Sequence, residues 1–263
     1  MKKYLAIYRT TLISDLQHIM DIILRFIAFI VIIFILVNLW RHLYVDPENV
    51  IEGYSMMQMV WYVIIAEMIW FGTRNKTLTT QISDDIKSGL IAYTANKPYS
   101  YIIYMIVRHF GEITIKAFSF FLLSIVIGFL FVGPLTTFTF SSIPLLMIVF
   151  FLSTLINSVL SITISLISFW IEDASPFHWL YDKLILIVGT LLPIELFPKV
   201  LQPVISATPI FVITYGPAKL AIAFDYALFW RVLGMQCLYL LVLVGLLTLM
   251  YRKGVRKLNV NGG

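Results

Sequence analysis

The chain has 263 residues, of which 60% are hydrophobic and only 13% charged. Soluble domains carry about 25% charged residues, so this composition excludes an ordinary water-soluble globule and indicates a multi-pass membrane protein. The formal charge of +5 then reads as basic cytoplasmic loops rather than nucleic-acid binding, and the single cysteine, Cys237, excludes an internal disulfide and a Cys-based metal site.

At roughly 20 residues per span, the length suits about six spans with short loops. Residues 1–20 carry Lys2, Lys3 and Arg9 but no apolar core or small-residue cleavage site, so they are not read as a cleavable signal. Leu5, Leu12, Leu16 and Ile19 recur at helical spacing, which predicts an amphipathic helix on the cytoplasmic membrane face. A plain extension of the first span into the cytoplasm fits this segment equally well.

The first span is expected at about 22–43, with Arg25 near its inner end and Trp40 near the outer interface. A polar loop follows, with Asp46, Pro47, Glu48 and Glu52. The second span, about 56–73, ends in Arg74 and Lys76. Then comes the longest polar interruption, Ile82–Ser100. Here Ser83 is positioned to cap a very short helix, Asp84 and Asp85 to fill its first turn, and Gly89 to end it; Pro98 suits the first turn of the next helix. So short a helix is marginal alone and has to be held between longer elements.

The third span is expected at about 103–132. Arg108, Glu112 and Lys116 share one helix face before the chain becomes fully apolar at Ala117, so this helix should begin in the cytoplasm. Gly133-Pro134 and a polar run to Ser142 separate it from a fourth span at about 144–170. The loop Ile171–Lys183 contains Glu172, Asp173, Pro176 and Asp182. A fifth span, about 184–192, is followed by Pro193, Pro198, Pro203 and Pro209, too many prolines for a straight spanning helix. Half-helices dipping into the outer leaflet over 193–220 are the expectation, because broken backbone at membrane depth must be buried in protein or line a cavity. The last span is about 228–250. With both termini inside, all nineteen Lys and Arg except Arg41, Lys199, Lys219 and Arg231 fall in cytoplasmic segments or inner span ends.

The chemistry is sparse. There is no G-x-x-x-x-G-K-[ST] loop, no H-E-x-x-H and no G-x-S-x-G. The four histidines are scattered, which argues against a catalytic metal centre. Glu67 lies inside the second span, about two turns from its inner end. It reads either as a cavity-lining acid or, more plainly, as one paired across helices or kept wet near the cytoplasm. Asn157 in the fourth span reads as a pathway residue or as a helix-packing polar group. Trp61, Tyr62, Trp70 and Phe71 suit a path for an amphipathic substrate or an aromatic belt.

Three features in order resemble the permease subunit of an ABC type-2 exporter. They are the amphipathic N-terminal helix before six spans; the cytoplasmic segment Ile82-Ser83-Asp84-Asp85-Ile86-Lys87-Ser88-Gly89-Leu90-Ile91 followed by Lys97-Pro98; and the Pro-rich outer stretch from Leu192-Pro193 through Tyr215-Gly216-Pro217. The resemblance covers nearly the whole chain and is nearest to a bacterial subgroup often encoded as permease pairs. It implies an all-α integral membrane fold forming one permease domain in the bacterial plasma membrane. It implies that Ile82–Gly89 is a coupling helix docking on a separate ATPase present in two copies. In that role Asp84, Asp85 and Lys87 would be polar contacts and Ile86 an apolar anchor, with Glu172 and Asp173 as a second contact loop. It implies a dimer of identical or paralogous permease chains, an outer gate around Pro193, Pro198, Pro203 and Pro209, and no cofactor on this chain, ATP and Mg being bound by the ATPase. A stand-alone carrier or channel is the alternative function.

Overall fold

Among the described residues, five stretches form helices long and apolar enough to cross a membrane: Met20–Leu43, Met56–Lys87, Tyr101–Phe131, Phe140–Phe169 and Tyr226–Lys257. The computed structural model describes residues 2–44, 46, 49–74, 76–95, 99–135, 137–171 and 173–261. In chain order the helices are α1 (Lys2–Asp15), α2 (Ile19–Leu43), α3 (Met56–Thr73), α4 (Lys76–Lys87), α5 (Leu90–Ala95), α6 (Tyr101–Phe131), α7 (Ile143–Ser165), α8 (Ser175–Leu184), α9 (Gln202–Ser206), α10 (Gly216–Ile222) and α11 (Tyr226–Asn261). A two-stranded hairpin, β1 (Val50–Ile51) and β2 (Tyr54–Ser55), interrupts this helical order. The expected polar loop thus contains a ladder. Glu52 and Gly53 both take positive φ at its tip, as a tight two-residue hairpin turn requires. Ser55 closes the hairpin and caps α3, exchanging bonds with Gln58 in a capping box.

α3 is the central helix. Met59 to Ile64, Ala66, Glu67, Ile69 and Trp70 are all buried. Phe29 of α2, Phe71 of α3 and Phe120 of α6 meet edge-on or tilted at centroid separations of 5.3–5.5 Å, tying the three helices together. Gly128 of α6 lies under the Trp61 ring, where a Cβ would come within 2.2 Å of it. The Trp61 indole donates to the Gly133 carbonyl at 3.1 Å. Trp61 and Tyr62 therefore face the bundle and not a lipid belt.

α1 is separated from α2 by a 3-10 turn, Leu16–His18, so it is not an extension of the first span. It packs along the N-terminal half of α6, where Gly111, Thr114 and Lys116 meet it. Gly111 permits the approach, since a Cβ there would meet Thr11 at 2.8 Å. Lys116 pairs with Asp15 at 2.6 Å, Tyr8 donates to Thr114 at 3.1 Å, and Arg108 pairs with Glu112 at 2.8 Å.

The fifth apolar segment begins earlier than 184. Pro176 starts α8, which continues into a π-helical segment, Ile185–Leu191, and stops before Pro193. The outer stretch then forms a 3-10 turn, Ile194–Leu196, the short α9, a second π-helical segment, Phe211–Tyr215, and α10. The π turns and prolines break the regular hydrogen-bond ladder, and side chains from neighbouring helices reach the carbonyls there. Tyr62 donates to Gly189 at 2.9 Å, Gln236 to Val149 and Val212 at 3.0 and 3.1 Å, and Ser153 to Ile213. Broken backbone is thereby kept satisfied inside the protein.

Candidate functional site

The polar segment after α3 differs from the expected short capped helix. α4 begins at Lys76, so Ser83 is not its N-cap; it lies mid-helix and its hydroxyl donates to Thr79 at 3.3 Å. The reason is the apolar register. Leu78, Ile82 and Ile86 recur every fourth residue, all three are buried, and burying that stripe extends the helix back to Lys76. Asp84 and Asp85 consequently fall near the C-terminal end instead of the first turn, where the dipole opposes them. Asp85 is compensated by a 2.8 Å bond from the Tyr101 hydroxyl of α6. Gly89 does end the helix, at φ +74°, with its N–H on the Ile86 carbonyl. Pro98 lies outside the described residues, and Ser100 caps α6.

The two faces of this segment have different company. Ile82, Ser83, Asp85 and Ile86 point into the bundle, and Ser83 accepts from Ser168 at 2.9 Å. Ile86 is buried at 4% exposure, so it is not a surface anchor. Asp84, Lys87 and Ser88 are exposed, and the exposed large apolar side chains just beyond Gly89 are Leu90 and Tyr93.

Behind α4 the C-terminal parts of α3, α7 and α8 form a polar assembly. Asn157 of α7 donates to Thr73 of α3 at 3.0 Å and accepts from Tyr181 of α8, joining three helices. Arg74 pairs with Asp182 at 2.6 Å and lies 5.2 Å from the Trp70 ring centroid. Burial raises the Asp182 pKa against the lowering by the Arg74 guanidinium. His178 sits 2.9 Å from Ser165, and burial pushes its pKa down to about 4, so it is neutral at pH 7. Asp173 is exposed, and its carboxyl is held below the ordinary range by the Ser175 backbone N–H at 3.0 Å. Glu172 lies outside the described residues. Among the described residues no group of His, Cys, Asp and Glu is arranged to hold a metal ion.

At the opposite end, Glu195 organises the Pro-rich stretch. It accepts from Tyr54 at 2.9 Å and from Tyr215 at 2.6 Å, and Lys219 lies 3.3 Å away. The Lys219 ammonium stands 3.6 Å from the Tyr54 ring centroid. Gln202 donates to the carbonyls of Glu195 and Phe197. Pro193 is buried, Pro209 half-buried, and Pro198 and Pro203 exposed. None of the four prolines is the hub; Glu195 is. The sequence held a signal for it, since Glu195 is the only acid between Asp182 and Asp225. Glu67 is fully buried, and neither of its carboxylate oxygens has a hydrogen-bond partner in the structure. Thr190 of the π-helical segment Ile185–Leu191 lies beside it.

A helical bundle with five spanning-length helices and internally satisfied broken segments fits a membrane transport component. The model of the ABC-2 family transporter proteins matches residues 26–262. The chain belongs to that family. It is a multi-pass membrane protein of a transporter class whose membrane domains are typically non-catalytic and that generally work with an ATPase. No curated protein matches the chain.

Proposed function

We propose that this ABC-2 family chain is the permease subunit of an ATP-driven exporter, working as a dimer of identical or paralogous chains with two copies of a separate ATPase. Both termini are cytoplasmic in this reading. The five long helices supply five passes. A further pass comes from the π-helical continuation of α8 with the broken outer stretch, which folds back into the outer leaflet. α8 itself lies at the inner headgroup level.

The observation that carries the reading is the asymmetry of α4. Its apolar face is buried in the bundle, Asp85 is bonded to Tyr101 at the foot of α6, and Ser83 to Ser168 beyond α7. Its outer face presents Asp84, Lys87 and Ser88, with Leu90 and Tyr93 alongside. A short helix fixed to several spans on one side and open on the other transmits a push from a partner instead of absorbing it. Displacing α4 moves the foot of α6 directly through the Asp85–Tyr101 bond. In this reading ATP-driven closure of the ATPase tilts the spans, and the Glu195 cluster closes the exit until it does.

The test uses the exposed face only. Asp84→Lys with Lys87→Glu and Leu90→Asp should abolish co-purification with the ATPase encoded alongside, while the variant chain remains folded and monodisperse in detergent. Retention of the ATPase and of transport-linked hydrolysis in that triple variant would rule the docking surface out. Transport by the chain reconstituted alone, driven by an ion gradient, would instead establish a stand-alone carrier.

A further inference from the structure

Two cavities lie at opposite ends of the bundle. The one behind α4, of about 240 Å³, is lined by Arg74, Lys76 and Asp182 among others, and both cations act on that one carboxylate. The other is an open cleft of about 460 Å³ beside the Pro-rich stretch. Lys199, just before α9, Gln202 and Ser206 of α9, and Arg231 and Met235 of α11 line it. Its volume falls within the ~300–1,000 Å³ of small-molecule sites, more than a lone inorganic ion needs. No carboxylate is among its lining residues.

Arg231 adds a second, independent feature. It is the sole charged residue between Tyr226 and Tyr251, so a cation stands inside an otherwise apolar span, where ionisable groups mark sites. Its guanidinium lies 5.2 Å from the ring centroid of the buried Phe211, which holds it in place. Yet none of its N–H groups meets an acceptor among the described residues. The Lys199 ammonium and the Ser206 hydroxyl likewise have no partner among them. Glu195 and Asp225 are the only acids from residue 191 onward, and both are engaged elsewhere. Glu195 holds Tyr54, Tyr215 and Lys219, and Asp225 accepts the Leu228 backbone N–H at 2.8 Å. The cleft is therefore lined by two cations that no carboxylate answers.

We propose that this cleft binds an anionic phosphate ester, whose phosphate is held by Lys199 and Arg231 with the Ser206 hydroxyl. The contact with Phe211 uses the guanidinium plane and leaves its N–H groups for oxygen. A carboxylate has two oxygens, enough for one guanidinium. A phosphate ester has acceptors for guanidinium, ammonium and hydroxyl together. The space beyond the phosphate takes the group esterified to it. In the orientation proposed above the cleft opens on the outer side, where the ester is either a lipid headgroup or a water-soluble molecule. The cleft and its charges do not depend on that orientation.

The experiment is a titration of the purified full chain in a non-ionic detergent, read by native mass spectrometry. The probes are phosphatidylglycerol and glycerol 3-phosphate, with glycerol as the uncharged control. At least one of the two esters should bind, and Lys199→Gln with Arg231→Gln should weaken it roughly tenfold or more. Arg231→Lys, which keeps the charge but loses the planar fork, should fall between the native chain and that double variant. Ser206→Asp gives Arg231 a carboxylate of its own, so it should weaken binding while the melting temperature holds or rises, a result that misfolding cannot imitate. Binding of both esters identifies a water-soluble ligand, and binding of phosphatidylglycerol alone a lipid headgroup. Either supports the site. Failure of both esters to exceed glycerol, or equal binding by the native chain and the double variant, would overturn it. No ATPase is present in this assay, so its outcome is separate from that of the docking test.

Discussion

The two ends of the bundle each carry a carboxylate–cation pair beside an aromatic ring, and they are built to opposite effect. At the Pro-rich end, Glu195 gathers Tyr54, Tyr215 and Lys219, and the Tyr54 ring covers the ammonium. With the two tyrosines the pair links the hairpin, the 3-10 turn, the second π segment and α10. At the other end, Arg74 and Asp182 pair at 2.6 Å beside Trp70, but their neighbour is a cavity. One pair fills its site and the other leaves room. The same chemistry serves as a lock where every donor converges on one carboxylate, and borders an open cavity where Arg74 and Asp182 pair at its edge.

The sharpest way to break the comparison is at the lock. Glu195→Ala removes the acceptor of two tyrosines and the partner of Lys219. With hydrogen bonds to a charged group contributing about 1.5–3 kcal/mol each, it should lower the melting temperature by roughly 6–24 °C. Glu195→Gln, which keeps the shape, should lower it by about half as much. Thermal unfolding in detergent checks both, and equal melting temperatures for all three chains would remove Glu195 as the hub. Tyr101→Phe comes next. It leaves Asp85 buried without its donor and should destabilise by about 1–3 kcal/mol, while also uncoupling α4 from α6. A loss of stability with transport-linked ATP hydrolysis intact would separate the two consequences.

At the Arg74–Asp182 end the effects are smaller and depend on pH. The His178 pKa is lowered to about 4 from an unfolded value near 6.5, so the unfolded chain binds more protons between those limits. This contribution to stability is complete above about pH 6.5 and is lost progressively as the pH falls toward 4. His178→Asn should flatten that part of the melting-temperature profile and leave pH 7.5 to 8.5 unchanged. Asp173→Asn should be nearly silent, within about 0.5 kcal/mol, because its carboxylate is exposed and holds only a local turn.

Much of the fold was legible because membrane insertion writes itself into composition. The spans expected at about 22–43, 56–73 and 103–132 lie within a few residues of α2, α3 and α6, and Gly133 breaks the long apolar run at φ +92°. Arg108 and Glu112 pair along α6 as their spacing requires, and Lys116, one turn further on, reaches Asp15 of α1. Less of the site was legible. Capping residues suggested a helix starting at Ser83, but the stripe of Leu78, Ile82 and Ile86 had more to gain from burial and moved the start to Lys76. That shift turned Ile86 inward and left Leu90 and Tyr93 as the exposed apolar groups. By sequence Asp182 belongs to the acidic loop Ile171–Lys183, yet its partner is Arg74, 108 residues earlier.

By itself the sequence determined that this chain belongs in a membrane, about where α2, α3 and α6 lie, and which stretches cannot be regular. Those follow from local quantities: hydropathy over a span-length window, proline and glycine, and the placement of basic residues. Only the tertiary structure decided which polar residues converge. Glu195 with Tyr54 and Lys219, Asn157 with Thr73 and Tyr181, and Arg74 with Asp182 are pairings across the bundle. Their partners are set by how helices pack, and packing depends on the shapes of faces such as those at Gly111 and Gly128, which a linear pattern of residue types does not encode.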